Sequence, residues 1–168
     1  MLRILNKIRH IGIVTEPAPR DAELEALGKQ VKRKIDRRFR GSLAIRQVDA
    51  GSCNGCELEI HALNNPYYDI ERFGVHFVAS PRHADALLVT GPVSRHMETA
   101  LRRTWLATPS PKLVIAAGTC ACDGGEFGVS YASCGAVENV IPVDAKITGC
   151  PPTPSDLLRG ILAALVGE

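Results

Sequence analysis

The chain has 168 residues, 45% of them hydrophobic, and a formal net charge of +2. That composition fits one globular domain able to bury a core without disulfide staples. No stretch approaches the roughly 20 apolar residues that cross a bilayer. The opening MLRILNKIRHIGIV is interrupted by Arg3, Lys7 and Arg9, without an apolar h-region or a clear cleavage site. A cytoplasmic protein is expected, and in a reducing compartment its six cysteines point to metal or redox chemistry rather than structural disulfides.

Charge is split along the chain. Residues 1–40 hold 11 Lys/Arg against 5 Asp/Glu, a balance of +6, and the rest holds 9 against 13, a balance of −4. The first forty residues read as a basic amphipathic arm on a body spanning 41–168. Such an arm suits nucleic acid, anionic lipid or an acidic partner. Aromatic residues are only 5% and none interleaves the basic run, which argues against nucleic acid. EPAPRD (16–21) is a break, after which Asp21 caps a predicted helix with Glu23 and Glu25 in its first turn. Leu24, Leu27, Val31 and Ile35 form its apolar stripe, Lys32, Arg33, Lys34, Arg37 and Arg38 crowd its far end, and Gly41 ends it. The stripe packs on its own domain, on a partner subunit or on a membrane surface.

From residue 43 strands and helices alternate. LAIRQVD (43–49) reads as a strand, GCELEIHAL (55–63) as a short helix, and VHFVA (75–79) and ALLVTG (86–91) as strands. SRHMETALRRTWLA (94–107) is helical, with Met97, Leu101 and Trp105 on one face. KLVIAAG (112–118) is an apolar run of the kind buried on both faces of a parallel sheet, and AKITG (145–149) is a weaker strand. SDLLRGILAALV (155–166) closes as an amphipathic helix with Ser155 as its expected cap. The alternation predicts a doubly wound α/β domain with a mainly parallel sheet.

On that map the cysteines gather. In an open parallel sheet, ligands bind beyond the carboxyl ends of the strands. Cys53 and Cys56 follow the strand at 43–49, Cys120 follows the one at 112–118, and Cys150 follows the one at 145–149. Three loops therefore carry four thiols to one edge. A structural zinc site usually pairs two C-x₂₋₄-C knuckles, and only one is present. A thioredoxin-like C-x-x-C accounts for neither Cys120 nor Cys150. Four soft thiolates also suit an iron–sulfur cubane. Gly51, Gly55, Gly118, Gly124, Gly125 and Gly149 flank the cysteines, where backbone would pass close to a bulky group. GTCACDGGEFG lacks the Lys-Ser/Thr of a P-loop and the G-x-G-x-x-G of a dinucleotide site. Pro151 and Pro152 stiffen the chain after Cys150.

GSCNGCELEI, YYDIERFGVHFVASPRHADALLVTGPV, PKLVIAAGTCA with the glycine pair beyond it, VIPVDAKITGCPP and the closing helix resemble one family, over roughly residues 41–166. It comprises the 20 kDa subunit of respiratory complex I and the small subunits of energy-converting, membrane-associated [NiFe] hydrogenases, of formate hydrogenlyase type. The resemblance implies a flavodoxin-like domain with one [4Fe–4S] cluster, ligated by Cys53, Cys56, Cys120 and Cys150. It also implies a large [NiFe]-type catalytic partner with ferredoxin-like and membrane subunits, peripheral on the cytoplasmic side of the membrane. The expected role is electron relay to or from the large subunit; the alternative is a complex I-like subunit that passes electrons to quinone.

Complex I subunits of this type typically carry adjacent cysteines, and the spaced C-N-G-C here resembles the hydrogenase branch. That branch often has aspartate after the second cysteine. Glu57 stands there instead, as in uptake hydrogenases, and could relay protons; a salt-bridged or solvated carboxylate is the plainer reading. Uptake enzymes carry further cluster cysteines in a C-terminal extension, absent here, so a single cluster is expected. Cys122 and Cys134 match no ligand position and read as buried or incidental thiols. His61, His76, His83 and His96 are not at metal-ligand spacing. Arg72, Arg82 and His83 could face a partner or a quinone pocket.

Overall fold

The computed structural model describes residues 2–12 and 21–166. Most of the EPAPRD break therefore lies outside the described residues. Among the described residues five strands form one parallel sheet: β1 (Leu43–Asp49), β2 (Val75–Phe77), β3 (Ala86–Thr90), β4 (Leu113–Ala117) and β5 (Ala145–Ile147). Their order is β2-β1-β3-β4-β5, the flavodoxin-like arrangement, whose switch point lies between β1 and β3. Register runs Ile45↔Ala86 between β1 and β3, and Ala86↔Leu113 between β3 and β4. Two carboxylates complete the ladder at strand entries: Asp85 accepts from the Ala44 N–H at 2.9 Å and Asp144 from the Val114 N–H at 2.7 Å.

Six α-helices accompany the sheet in the described residues: α1 (Leu2–Ile11), α2 (Ala22–Arg38), α3 (Gly55–Ala62), α4 (Arg95–Ala107), α5 (Thr119–Asp123) and α6 (Pro154–Val166). Strands β3 and β4 are buried along their whole length between two cores, which is why ALLVT and LVIAA are apolar without alternation. On β4, Leu113, Ile115 and Ala117 face a core shared with Ile35, Ile60 and Ile161 of α2, α3 and α6. Val114 and Ala116 face the other core, with Leu101 of α4 and Ala121 of α5.

Asp21 caps α2 as expected, accepting from the Glu23 and Leu24 N–H groups at 2.9 and 3.1 Å. Helix α2 buries Leu24, Val31 and Ile35 in its own protein's core. That burial contributes on the order of 5–9 kcal/mol before ordering costs, and it leaves the cations of α2 facing solvent. Three details differ from the sequence reading. Residues Leu2–Ile11 form a second, separate helix within the expected basic helical arm, and none of them is buried. Helix α2 ends at Arg38 with Phe39 as its C-cap, ahead of Gly41. The cap of α6 is Thr153, not Ser155: its hydroxyl accepts from the Asp156 N–H at 3.2 Å and donates to the Asp156 carboxylate at 2.6 Å. Ser155 is already the second residue of the helix, one past the start at Pro154.

Candidate metal centre

The four expected thiols meet at the carboxyl end of the sheet. The loop after β1 is held by Asp49, whose carboxylate accepts from the Gly51 and Ser52 N–H groups at 2.8 and 2.9 Å. The Ser52 hydroxyl accepts from the Asn54 N–H at 3.2 Å, and Asn54 takes a left-handed φ of 72° to start α3 at Gly55. Cys53 and Cys56 bracket that turn. Cys120 sits in the first turn of α5, and Cys150 follows β5. The last two loops are tied together: the Gly118 N–H donates to Ile147 O and the Thr119 N–H to Gly149 O, both at 2.8 Å. The Thr119 hydroxyl bridges the carbonyl and N–H of Gly149 at 3.2 and 3.3 Å.

Cys53, Cys56, Cys120 and Cys150 all line one cavity of about 160 Å³, walled by Thr119, Gly149, Pro151 and Phe127. Cys53 and Cys150 are exposed at its lip; Cys56 and Cys120 lie deeper. Burial, then the Glu57 carboxylate, then the other three thiols push Cys56 up to about 11; burial likewise raises Cys120. Crowded, partly desolvated thiols resist ionising until a cation compensates them.

The walls keep clearance for a bulky occupant. Gly118 adopts φ 92° and ψ 150°, a region nearly reserved for glycine, and a Cβ there would lie 2.5 Å from Cys56 Sγ. A Cβ on Gly125 would lie 2.8 Å from Cys120 Sγ. Among the described residues no three His, Cys, Asp or Glu side chains are grouped to hold a single metal ion. The residues fit a larger thiolate-bound group that occupies the space between them.

The other candidates fall elsewhere. Cys122 is buried, with its thiol 3.4 Å from Ile147 O, and Cys134 is buried with its thiol 3.4 Å from Glu98 Oε2. Glu57 is only 4% exposed. It is neither solvated nor salt-bridged: the Thr90 hydroxyl donates to its Oε1, and its Oε2 has no hydrogen-bond partner among the described residues. Thr90, at the end of β3, was not singled out in the sequence, and only the fold brings it under α3. Arg72 pairs with Glu25 at 2.6 Å and lies over the Phe73 ring. Arg82 and His83 line a separate concavity with Arg40 and Lys112, at the opposite, N-terminal end of the strands. His61, His76 and His96 do not join the thiols. Phe127, Val129 and Tyr131, in the loop after α5, are exposed large apolar groups, at 65, 70 and 98%.

The profile of the family described as "NADH ubiquinone oxidoreductase, 20 Kd subunit" matches residues 53–164. Formate hydrogenlyase subunit 7 of Escherichia coli is 43% identical over 149 residues, 89% of this chain and 57% of that protein. This chain thus spans a little over half of that relative. The probable membrane-bound hydrogenase subunit mbhJ of Pyrococcus furiosus is 48% identical over 121 residues, 72% of each chain. Among solved structures, the membrane-bound sulfane sulfur reductase, an archaeal respiratory membrane complex, aligns with a TM-score of 0.66 at 32% identity. That alignment covers 82% of this chain and 74% of the other. The chain belongs to the 20 kDa-subunit family.

Proposed function

We propose, on the premise of that membership, that this chain is the electron-transfer subunit of a membrane-associated, hydrogenase-type oxidoreductase complex. In this reading Cys53, Cys56, Cys120 and Cys150 hold one [4Fe–4S] cluster. The observation that carries the reading is the convergence of four thiols from three loops on one cavity of about 160 Å³. Four soft thiolates favour iron–sulfur chemistry, and glycines at 118 and 125 leave space beside two of them. The cluster supplies one-electron chemistry when bound.

The chain's own residues hold and orient it. The Thr119–Gly149 bonds lock the loops of Cys120 and Cys150 to each other, and Asp49 stiffens the loop of Cys53. Cys53 and Cys150 at the exposed lip put the group within reach of another subunit. Phe127, at the cavity wall, continues into the exposed Val129 and Tyr131, an apolar rim that a larger catalytic subunit would cover. Glu57, buried beside Cys56 with one oxygen unpartnered, is the residue proposed for proton exchange with that subunit. A large [NiFe]-type subunit, ferredoxin-like carriers and membrane subunits complete the proposed complex. Among the described residues no helix is long and apolar enough to cross a membrane; peripheral placement on the cytoplasmic side belongs to the same proposal.

The spaced C-N-G-C pair and the formate hydrogenlyase and membrane-bound hydrogenase relatives favour the hydrogenase branch. The family description also includes quinone reduction, which is the second reading. Iron, nickel and zinc content of the complex, purified anaerobically with its natural partners, tests both. Nickel stoichiometric in the complex is the expected result, with more iron than the roughly four atoms per copy of this chain that its own cluster takes, the rest belonging to the nickel–iron centre and the ferredoxin-like carriers. Iron without nickel would move the assignment to the quinone branch. Zinc in place of iron at the four thiols of this chain would overturn the electron-relay reading.

A further inference from the structure

Helix α1 leaves its aliphatic side chains largely exposed. Leu2, Ile4, Leu5, Ile8 and Ile11 are 84, 65, 58, 60 and 52% exposed, and no residue of α1 is buried. Helices α2 and α6, by contrast, turn their aliphatics into the core. At about 100° per residue, the five aliphatics of α1 occupy one half of its circumference. Arg3, Asn6, Lys7 and His10 occupy the other half, with Arg9 at the boundary, and no acidic residue is present. A helix of ten residues is about 15 Å long, half the thickness of a bilayer core of about 30 Å. It is too short to span and well shaped to lie flat.

We propose that α1 is an interfacial helix that seats its aliphatic face in an anionic lipid surface. The charge pattern selects this occupant. Cations on the solvent half, without one carboxylate, complement phosphate headgroups, and Arg9 at the boundary can bury its stem while its guanidinium reaches the headgroups. Helix α2 adds exposed Lys29, Arg33 and Arg37. The first forty residues thus combine an apolar face with a polybasic one, the two signals that together give stable surface binding. A groove on another protein would have to supply carboxylates around five aliphatics, and it is the competing outcome of the test. The inference does not depend on the electron-relay reading.

The full-length chain, purified anaerobically, is co-sedimented with vesicles of phosphatidylcholine, with and without phosphatidylglycerol. Binding is expected to need the anionic lipid and to weaken with salt. The double variant Leu5→Glu/Ile8→Glu should lose binding by roughly tenfold or more. Arg3→Gln/Lys7→Gln should weaken binding to anionic vesicles and flatten its salt dependence. Because α1 buries nothing, both variants should unfold at the parent temperature, so a loss of binding is not a loss of fold. The proposal is overturned if the parent ignores anionic vesicles. It is equally overturned if Leu5→Glu/Ile8→Glu binds them as well as the parent but no longer co-purifies with the partner subunits.

Discussion

Alanine at Gly118 is the sharpest perturbation of the thiol cradle. The backbone there sits at φ 92° and ψ 150°, so any Cβ costs about 1–3 kcal/mol of strain. The added carbon would also lie 2.5 Å from Cys56 Sγ, well inside contact distance. In the metal-free chain the thiol can rotate away, and the loss should stay near the backbone cost. In the loaded protein Cys56 cannot leave its ligand position, so an overpacking cost of about 1–3 kcal/mol is added. The loaded form should therefore lose about 2–6 kcal/mol. At about 2–4 °C per kcal/mol for a chain of this size, that lowers its unfolding temperature by roughly 4–24 °C. Thermal unfolding of loaded and metal-free protein, with iron and acid-labile sulfide analysis, reads both effects. Gly128→Ala is the control, because its φ is 50° but nothing lies within 4 Å of the added carbon; it should pay strain alone and keep its iron. A Gly118→Ala protein with full iron and equal losses in both forms would refute the placement of Cys56 as a ligand.

The remaining expectations are quickly tested. Cys150→Ser should lose or distort the cluster and loosen assembly with partner subunits, whereas Cys122→Ser, altering a buried thiol outside the cradle, should keep its iron; the reverse result would shift the ligand set by one loop position. Glu57→Gln retains an acceptor for Thr90 and removes the carboxylate, so turnover of the complex should slow while the cluster's electron paramagnetic resonance signal stays unchanged; unaltered turnover sinks the relay role. A Cβ on Gly28 would fall 2.1 Å from the Phe73 ring, so Gly28→Ala should destabilise by up to about 2 kcal/mol, overpacking of about 1–3 exceeding the roughly 1 kcal/mol gained in helix propensity. A more stable Gly28→Ala protein would contradict the seating of α2 on that ring.

The sheet and the four thiols were legible in the sequence for a physical reason. Strands covered on both faces must be apolar throughout, so KLVIAAG announced β4 before any contact was known. Once strands are placed, a parallel sheet has only one edge where their following loops converge, and Cys53, Cys56, Cys120 and Cys150 each follow a strand. The family resemblance already separated Cys120 from Cys122, and α5 supplies the physical reason. Two residues apart on a helix are about 200° apart around it, so one thiol faces the cradle and the other the core. Long-range pairings were invisible. Glu57 and Thr90 meet only because α3 folds back over the end of β3, and a buried carboxylate with one free oxygen has no signature in a chain where glutamate is usually solvated. The stripe of α2 read the same whether it would cover its own core, a partner or lipid, because amphipathicity records that a face must be covered and not by what. Packing settled α2 by burying Leu24, Val31 and Ile35, and left the aliphatics of α1 exposed among the described residues.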